Sequence, residues 1–233
     1  MVKWIINDNH VAFLRDRELQ HPNAAFLLDY LVGEKQFEDE DTSDLNPREL
    51  SVARIGVPLK AELFHTSEGA GIHFSLFVIR RGERIVVDMR NGIVIDHGIK
   101  DDTWFYITGP IEELNGVLKR AQISQTGELK LRQYLDLLSL CKNENFNLIE
   151  NRIDMSLIDK PIAATGLLPQ HITADLYGYQ KTGYAWLKYM DDEGCGCILG
   201  DEMGLGKTLQ VISLMSDFVA EKKTPMLVIA PVS

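Results

Sequence analysis

Hydrophobic and polar positions change their spacing several times along this chain. Val2–Ile6 reads as a short strand. Residues 10–31 are rich in apolar side chains and predict helix, divided in two by Pro22, which cannot continue a helical hydrogen-bond ladder. From Leu59 to Thr108 the pattern becomes a series of β-type runs, Ile72–Ile79, Arg84–Asp88, Gly92–Asp96 and Thr103–Thr108, rich in Ile, Val, Phe and Tyr. Arg81-Gly82-Glu83 and Arg90-Asn91-Gly92 separate them, and Asn-Gly is a strong hairpin signal. An antiparallel meander is expected. Two helices follow, over Ile111–Ala121 and Glu128–Cys141; in the second, Leu131, Tyr134, Leu135, Leu138 and Cys141 recur at three- and four-residue spacing and form one apolar face. Residues 146–174 carry Pro161, Gly166 and Pro169 and predict an extended connection. Beyond it, a strand over Gly196–Leu199 is followed by a loop and helix, and Met226–Ala230 reads as a second buried strand.

Composition narrows the class. The 233 residues carry 34 acidic and 24 basic side chains, a formal charge of -10, with 45% hydrophobic and 25% charged residues. This is ordinary for a globular protein and excludes a disordered tail or a collagen-like repeat. No apolar run of ~18 residues occurs, so no membrane span is expected. The early polar residues of Met1-Val-Lys-Trp-Ile-Ile-Asn-Asp argue against a secretory signal. Three cysteines, Cys141, Cys195 and Cys197, point to a reducing, cytoplasmic setting. Residues 1–165 hold 19 basic and 26 acidic side chains, and 166–233 hold 5 and 8 with no arginine, so neither part has the basic balance of a stand-alone DNA-binding module. The acidic stretch Glu34–Asp44 predicts a solvated loop, because clustered like charges resist packing; a basic partner or DNA mimicry is its alternative. His65, His73 and His97, with Asp88 and Asp96 near them in sequence, read as scattered surface or core-edge residues, with a metal site as the alternative. Cys195-Gly-Cys197 has too few partners for a metal pair and reads as small buried thiols packing a strand.

The chemistry lies near the carboxy-terminal end. Cys197-Ile-Leu-Gly-Asp-Glu-Met-Gly-Leu-Gly-Lys-Thr208 is a strand, a glycine loop and a helix start, the order of a phosphate-binding loop. Gly204 and Gly206 allow the backbone to curl so that its N–H groups face phosphate oxygens. The helix beginning near Lys207 adds its positive end. Lys207 suits the β- and γ-phosphates of a nucleotide as a point charge, and the Thr208 hydroxyl suits a magnesium ion. Asp201 occupies the first glycine position of the strict GxxxxGK[ST] pattern.

Asp201-Glu-Met-Gly-Leu-Gly-Lys-Thr208 resembles motif I of SNF2-type ATPases of helicase superfamily 2, a family that accepts Asp at that first position, and Leu209-Gln210 continues the similarity. Leu176-Tyr-Gly-Tyr-Gln180 resembles the SNF2 form of the Q motif, with Tyr177 and Gly178 in place of the common Arg-Pro, and Pro225–Ser233 resembles motif Ia and its preceding strand. The resemblance covers residues ~175–233 and implies the start of a RecA-like α/β P-loop lobe over 166–233, behind an α+β domain (antiparallel meander plus helices) over 1–165. It implies ATP and magnesium as cofactors. Lys207 and Thr208 would be catalytic, with Thr208 on the metal. Met203, Gly204, Leu205, Gly206, Lys207, Thr208 and Leu209 would cradle the nucleotide, joined by Tyr177 and by Gln180 at the adenine edge. Ser233 would touch the nucleic-acid backbone. The aromatic residues that follow Tyr177, namely Tyr179, Tyr184, Trp186 and Tyr189, are expected in the core at their helical spacing, with Tyr177 or Tyr179 near adenine as the alternative.

The implied whole protein is a SNF2-family ATP-dependent translocase on double-stranded DNA, of bacterial type, with phage defence as a plausible setting. No Asp-Glu-x-His occurs in the chain, and the closing run Leu227–Ser233 reads as a strand cut off at its end; a fragment inactive on its own is therefore expected. The alternative reading makes residues 1–165 a protein-interaction or autoinhibitory module that recruits or regulates the motor. A P-loop enzyme unrelated to nucleic acid is a third reading, opposed by the Q motif.

Overall fold

The computed structural model describes residues 1–7, 9–66, 71–144, 147–150, 169, 171–223 and 225–229. It is a mixed α and β chain with several small sheets and five α-helices among these residues. Two compact units form: Met1–His65 with Ile72–Leu129 and Gln133–Ile153, and Thr66–Gly71 with Lys130–Arg132 and Asp154–Ser233.

The first unit opens with a hairpin of β1 (Val2–Asn7) and β2 (His10–Arg15), extended by β3 (Glu18–Gln20). His10–Arg15 and Glu18–Gln20 are therefore strands and not the expected helix. The physical reason is cross-strand packing: Trp4 sits opposite Phe13 in the register, with ring centroids 5.1 Å apart edge to face. Asp16 and Arg17 both take positive φ, 54° and 68°, the two-residue turn whose twist suits a hairpin. Helix α1 (Ala24–Leu31) starts only after Pro22, capped by Asn23, whose side chain accepts from the Phe26 N–H at 2.9 Å.

The acidic stretch is not wholly a solvated loop. Its Glu40–Asp41 segment forms β4 beside β1, in parallel. The Glu40 carboxylate accepts from the Trp4 indole and the Tyr30 hydroxyl, while the amino terminus and Lys3 pair with Asp39 and Asp44. These local cations and donors offset the repulsion that argued against packing. Trp4, Phe13, Leu27, Tyr30 and Trp104 form an aromatic-rich core around this contact.

The β-type runs divide among several sheets instead of one meander. After a 3₁₀ turn (Pro47–Glu49) come β5 (Ser51–Val52), β6 (Val57–Pro58), β7 (Lys60–His65) and β8 (Ile72–Arg80). β9 (Glu83–Val86), β10 (Met89–Arg90), β11 (Ile93–Val94), β12 (His97–Lys100) and β13 (Thr103–Thr108) follow. Consecutive strands β7–β8–β9, β10–β11 and β12–β13 pair antiparallel, as hairpin chemistry dictates. β13 also takes β5 and β6 as parallel partners. Helix α2 (Ile111–Arg120) matches the first expected helix. The second is shorter than expected at its start: Gly127–Leu129 is a strand, β14, on β8, and α3 spans Leu131–Asn143 with Tyr134, Leu137 and Cys141 buried. β15 (Leu148–Glu150) adds to β7 in parallel.

The second unit contains α4 (Gly178–Asp192) and α5 (Lys207–Ala220). The two strands expected here do not form among the described residues: 196–199 and 226–229 lack strand pairing, and Ile198, Leu227 and Ile229 are each more than 80% exposed. A parallel strand needs neighbours to take its N–H and C=O groups, and no described segment supplies them.

Candidate nucleotide site

Two helices and one loop build the site. The loop Asp201–Gly206 joins an extended segment to α5. Gly204 and Gly206 adopt positive φ, +87° and +75°, which L side chains rarely take, and Gly206 is the N-cap of α5. The first-turn N–H groups of α5 point back toward this loop. Lys207 folds over it, donating through Nζ to the carbonyls of Asp201 at 2.7 Å and Glu202 at 2.8 Å. The lysine thus lies across the loop, with carbonyl oxygens as its partners where phosphate oxygens would compete. Thr208 is exposed at the second position of the helix. Leu209 donates its N–H to the Gly206 carbonyl at 3.0 Å, and Met203 is almost fully exposed.

Gln180 is buried and bridges two elements. Its Oε1 accepts from the Tyr177 N–H at 2.9 Å, closing the first turn of α4, and its Nε2 donates to the Leu205 carbonyl at 3.1 Å. A primary amide carries two N–H groups and two lone-pair sites, so one of each is left for a nucleobase edge. A Cβ on Gly206 would meet Gln180 Nε2 at 2.3 Å, so glycine is required there for space as well as for φ. Tyr177 and Tyr179 are both exposed and stack with centroids 5.8 Å apart and planes at 8°. Tyr179 therefore stands outside the core position expected for it; Tyr184 is buried as expected. A groove of about 570 Å³ opens beside the loop, lined by Tyr179, Thr182, Gly183, Trp186, Ile198–Asp201 and Leu205.

Sequence reasoning left Gln210, Tyr184 and Asp217 without roles in the site. Gln210 is fully buried and donates through Nε2 to Asp201 Oδ2 at 3.3 Å. The Tyr184 hydroxyl bonds the Asp217 carboxylate, and burial, reinforced by that carboxylate, pushes the phenol well above its ordinary pKa. Lys188–Glu221 at 2.8 Å and Lys223–Asp191 at 3.1 Å continue the seam, so α4 and α5 lie side by side and run in the same direction. The helical periodicity of α5 carries part of this signal: Gln210, Ser213 and Asp217 fall on one face at three- and four-residue spacing and are all buried.

The glycines at positive φ, the loop-bound lysine and the N-terminus of α5 form a cradle that fits a nucleotide's phosphates. The Thr208 side chain, next to Lys207, is exposed at the head of α5. Ser233, expected at the nucleic acid, lies outside the described residues. The histidines fall elsewhere: His97 Nδ1 pairs with Asp96 at 3.1 Å and His73 stacks on Phe64. Among the described residues no group of three or more His, Cys, Asp or Glu is arranged to hold a metal, and no helix is long and apolar enough to cross a membrane.

Comparison with known proteins identifies the loop-bearing segment. Residues 179–233 match the family model described as SNF2-related domain. This segment is of the SNF2 type of helicase superfamily 2. The chain is 33% identical over 126 residues to helicase SWR1 of Eremothecium gossypii, covering 53% of this chain and 8% of that protein. It is 33% identical over 130 residues to chromatin-remodeling ATPase INO80 of Arabidopsis thaliana, covering 51% and 8%. It is 42% identical over 72 residues to Zorya protein ZorD of Escherichia coli O139:H28, covering 28% and 6%. The chain spans less than a tenth of the length of these relatives. No solved structure matches it.

Proposed function

We propose that this chain carries the nucleotide-cradling segment of an SNF2-type ATPase that moves on double-stranded DNA. The observation that carries the reading is Lys207, seated across a loop whose glycines Gly204 and Gly206 hold positive φ at the head of α5. Lys207 moves from the Asp201 and Glu202 carbonyls to the β- and γ-phosphates of ATP, and the loop N–H groups receive the remaining oxygens. Thr208 holds magnesium, which supplies charge neutralisation on the phosphates when bound. Gln180 offers its free N–H and lone pair to the adenine edge, with Tyr177 beside it. Ser233 contacts the nucleic-acid backbone.

Residues 166–233 constitute the beginning of a RecA-like lobe in this reading, and 1–165 a regulatory or protein-interaction domain. Hydrolysis in such motors takes an acidic residue from a further strand and arginine from a second lobe, the latter worth ~10³–10⁵ in rate. The 233 residues alone therefore bind ATP without turning it over. A bacterial setting draws on the identity to ZorD of Escherichia coli, the cytoplasmic placement on the low cysteine count, and a role in phage defence on the resemblance to bacterial members of the family.

The test is equilibrium binding of a fluorescent ATP analogue with magnesium to the full chain and to its Lys207→Ala variant. Binding lost with Lys207 supports the cradle. Robust steady-state hydrolysis abolished by Lys207→Ala contradicts the inactive-fragment part, and affinity indifferent to Lys207 removes the nucleotide reading. An alternative in which 1–165 binds DNA itself predicts a salt-dependent shift of labelled duplex by that region.

A further inference from the structure

Asp201 puts a carboxylate at the mouth of a loop meant for anions. Left free, it would repel phosphate oxygens at close range. Its Oδ2 is instead held by Gln210 Nε2 at 3.3 Å, from a side chain fully enclosed one turn into α5. Nothing about the helix alone dictates a buried amide there; Gln210 is the largest polar side chain among those fully buried. Gly183 of α4 makes the space for it. A Cβ at Gly183 would lie 1.9 Å from Gln210 Oε1 and 2.9 Å from its amide carbon. The far end of the amide, Oε1, faces Gly183 and has no hydrogen-bond partner among the described residues.

We propose that Gln210 is a positioning residue that fastens the Asp201 carboxylate against α5 and so sets the shape and charge of the glycine loop, with Gly183 as the seat that aims it. The inference rests on the nucleotide reading above and adds a residue to it. Gln210 acts through Asp201 and never touches the ligand. The contact spans the loop from its first residue to the helix that follows its last, so it fixes the loop's width in the place where the common pattern has a glycine.

The experiment uses the full chain and two readouts: hydrogen exchange of the 201–206 amides without nucleotide, and the dissociation constant of mant-ADP. Gln210→Glu places a second carboxylate against Asp201, which like-charge repulsion disfavours. It should speed loop exchange and weaken mant-ADP about tenfold, since displacements of ~1 Å in a positioned group cost up to ~100-fold. Adding Asp201→Asn restores a donor–acceptor pair of reversed polarity and should recover both readouts. Gly183→Ala should reproduce the defect by pushing Gln210 off Asp201, and should add nothing in a Gln210→Ala background, where the obstructed atoms are gone. Loop exchange unmoved by Gln210→Glu, no recovery with Asp201→Asn, or additive losses for Gly183→Ala and Gln210→Ala would each overturn the proposal. Lys207→Ala separates the two claims. If mant-ADP affinity ignores Lys207, the nucleotide reading fails while the exchange measurements still decide the Gln210–Asp201 contact.

Discussion

Gln180 Nε2 donates to the Leu205 carbonyl at 3.1 Å, so the first turn of α4 holds the glycine-loop backbone directly. Two glycines of this loop share a positive φ but differ in surroundings. A Cβ on Gly204 meets nothing within 4 Å, whereas one on Gly206 meets Gln180 Nε2 at 2.3 Å. Gly204→Ala should therefore cost only the backbone penalty, ~1–2 kcal/mol. Gly206→Ala should cost that and also dislodge Gln180. Urea unfolding of both variants checks this. The excess loss in Gly206→Ala should disappear when Gln180 is also changed to Ala, because the collision is then removed.

The buried Tyr184–Asp217 bond predicts an asymmetric pair of substitutions. Tyr184→Phe keeps the ring and removes the donor, leaving a carboxylate buried without it, and should destabilise the second unit by about 1–3 kcal/mol. Asp217→Asn keeps an acceptor for the hydroxyl and should cost less. Thermal denaturation followed on α4 and α5 measures the difference; equal losses would mean that the hydroxyl bond contributes little.

The loop and its lysine were legible from sequence because they rest on local rules: which residues accept positive φ, and where a helix begins. The hairpins at Arg81-Gly82 and Asn91-Gly92 were legible for the same reason. What failed was long-range. Nothing local to His10–Gln20 announces that Phe13 will face Trp4, and an apolar run without clean alternation reads as helix until its partner strand is known. Glu40 departs from the solvated loop expected for its acidic neighbours because its two donors, Trp4 and Tyr30, are remote in sequence. Gln210 and Gly183 likewise acquire meaning only from a helix pairing that periodicity in either helix alone does not specify.

Glu40 gives a stability prediction for the first unit. Its carboxylate is the acceptor for both the Trp4 indole N–H and the Tyr30 hydroxyl, whose rings are buried. Glu40→Ala leaves two donors without their acceptor and should cost about 1–3 kcal/mol for each that water fails to reach. Glu40→Gln retains an acceptor oxygen and should recover a large part of the loss. Chemical denaturation monitored by tryptophan fluorescence reads both effects. A solvated-loop role for this residue instead predicts no change in either variant, as for ordinary surface sites.

Acid should loosen the α4–α5 seam in a defined window. Hydrogen bonds from Lys188 and Lys223 hold the Glu221 carboxyl at about 2, below its ordinary 4.5. A depressed folded-state pKa means that the unfolded chain binds the proton first, so the stabilisation is complete above the unfolded value and is lost as pH falls from about 4.5 through about 2. Glu221 is solvent-exposed, so salt screens the contribution and the effect should shrink at high ionic strength. The measurement is the melting temperature of the chain and of Glu221→Gln between pH 6 and pH 2 at low and high salt. The two curves should be separated above the window and converge within it. Parallel curves at all pH values would show that Glu221 titrates alike in the folded and unfolded chain.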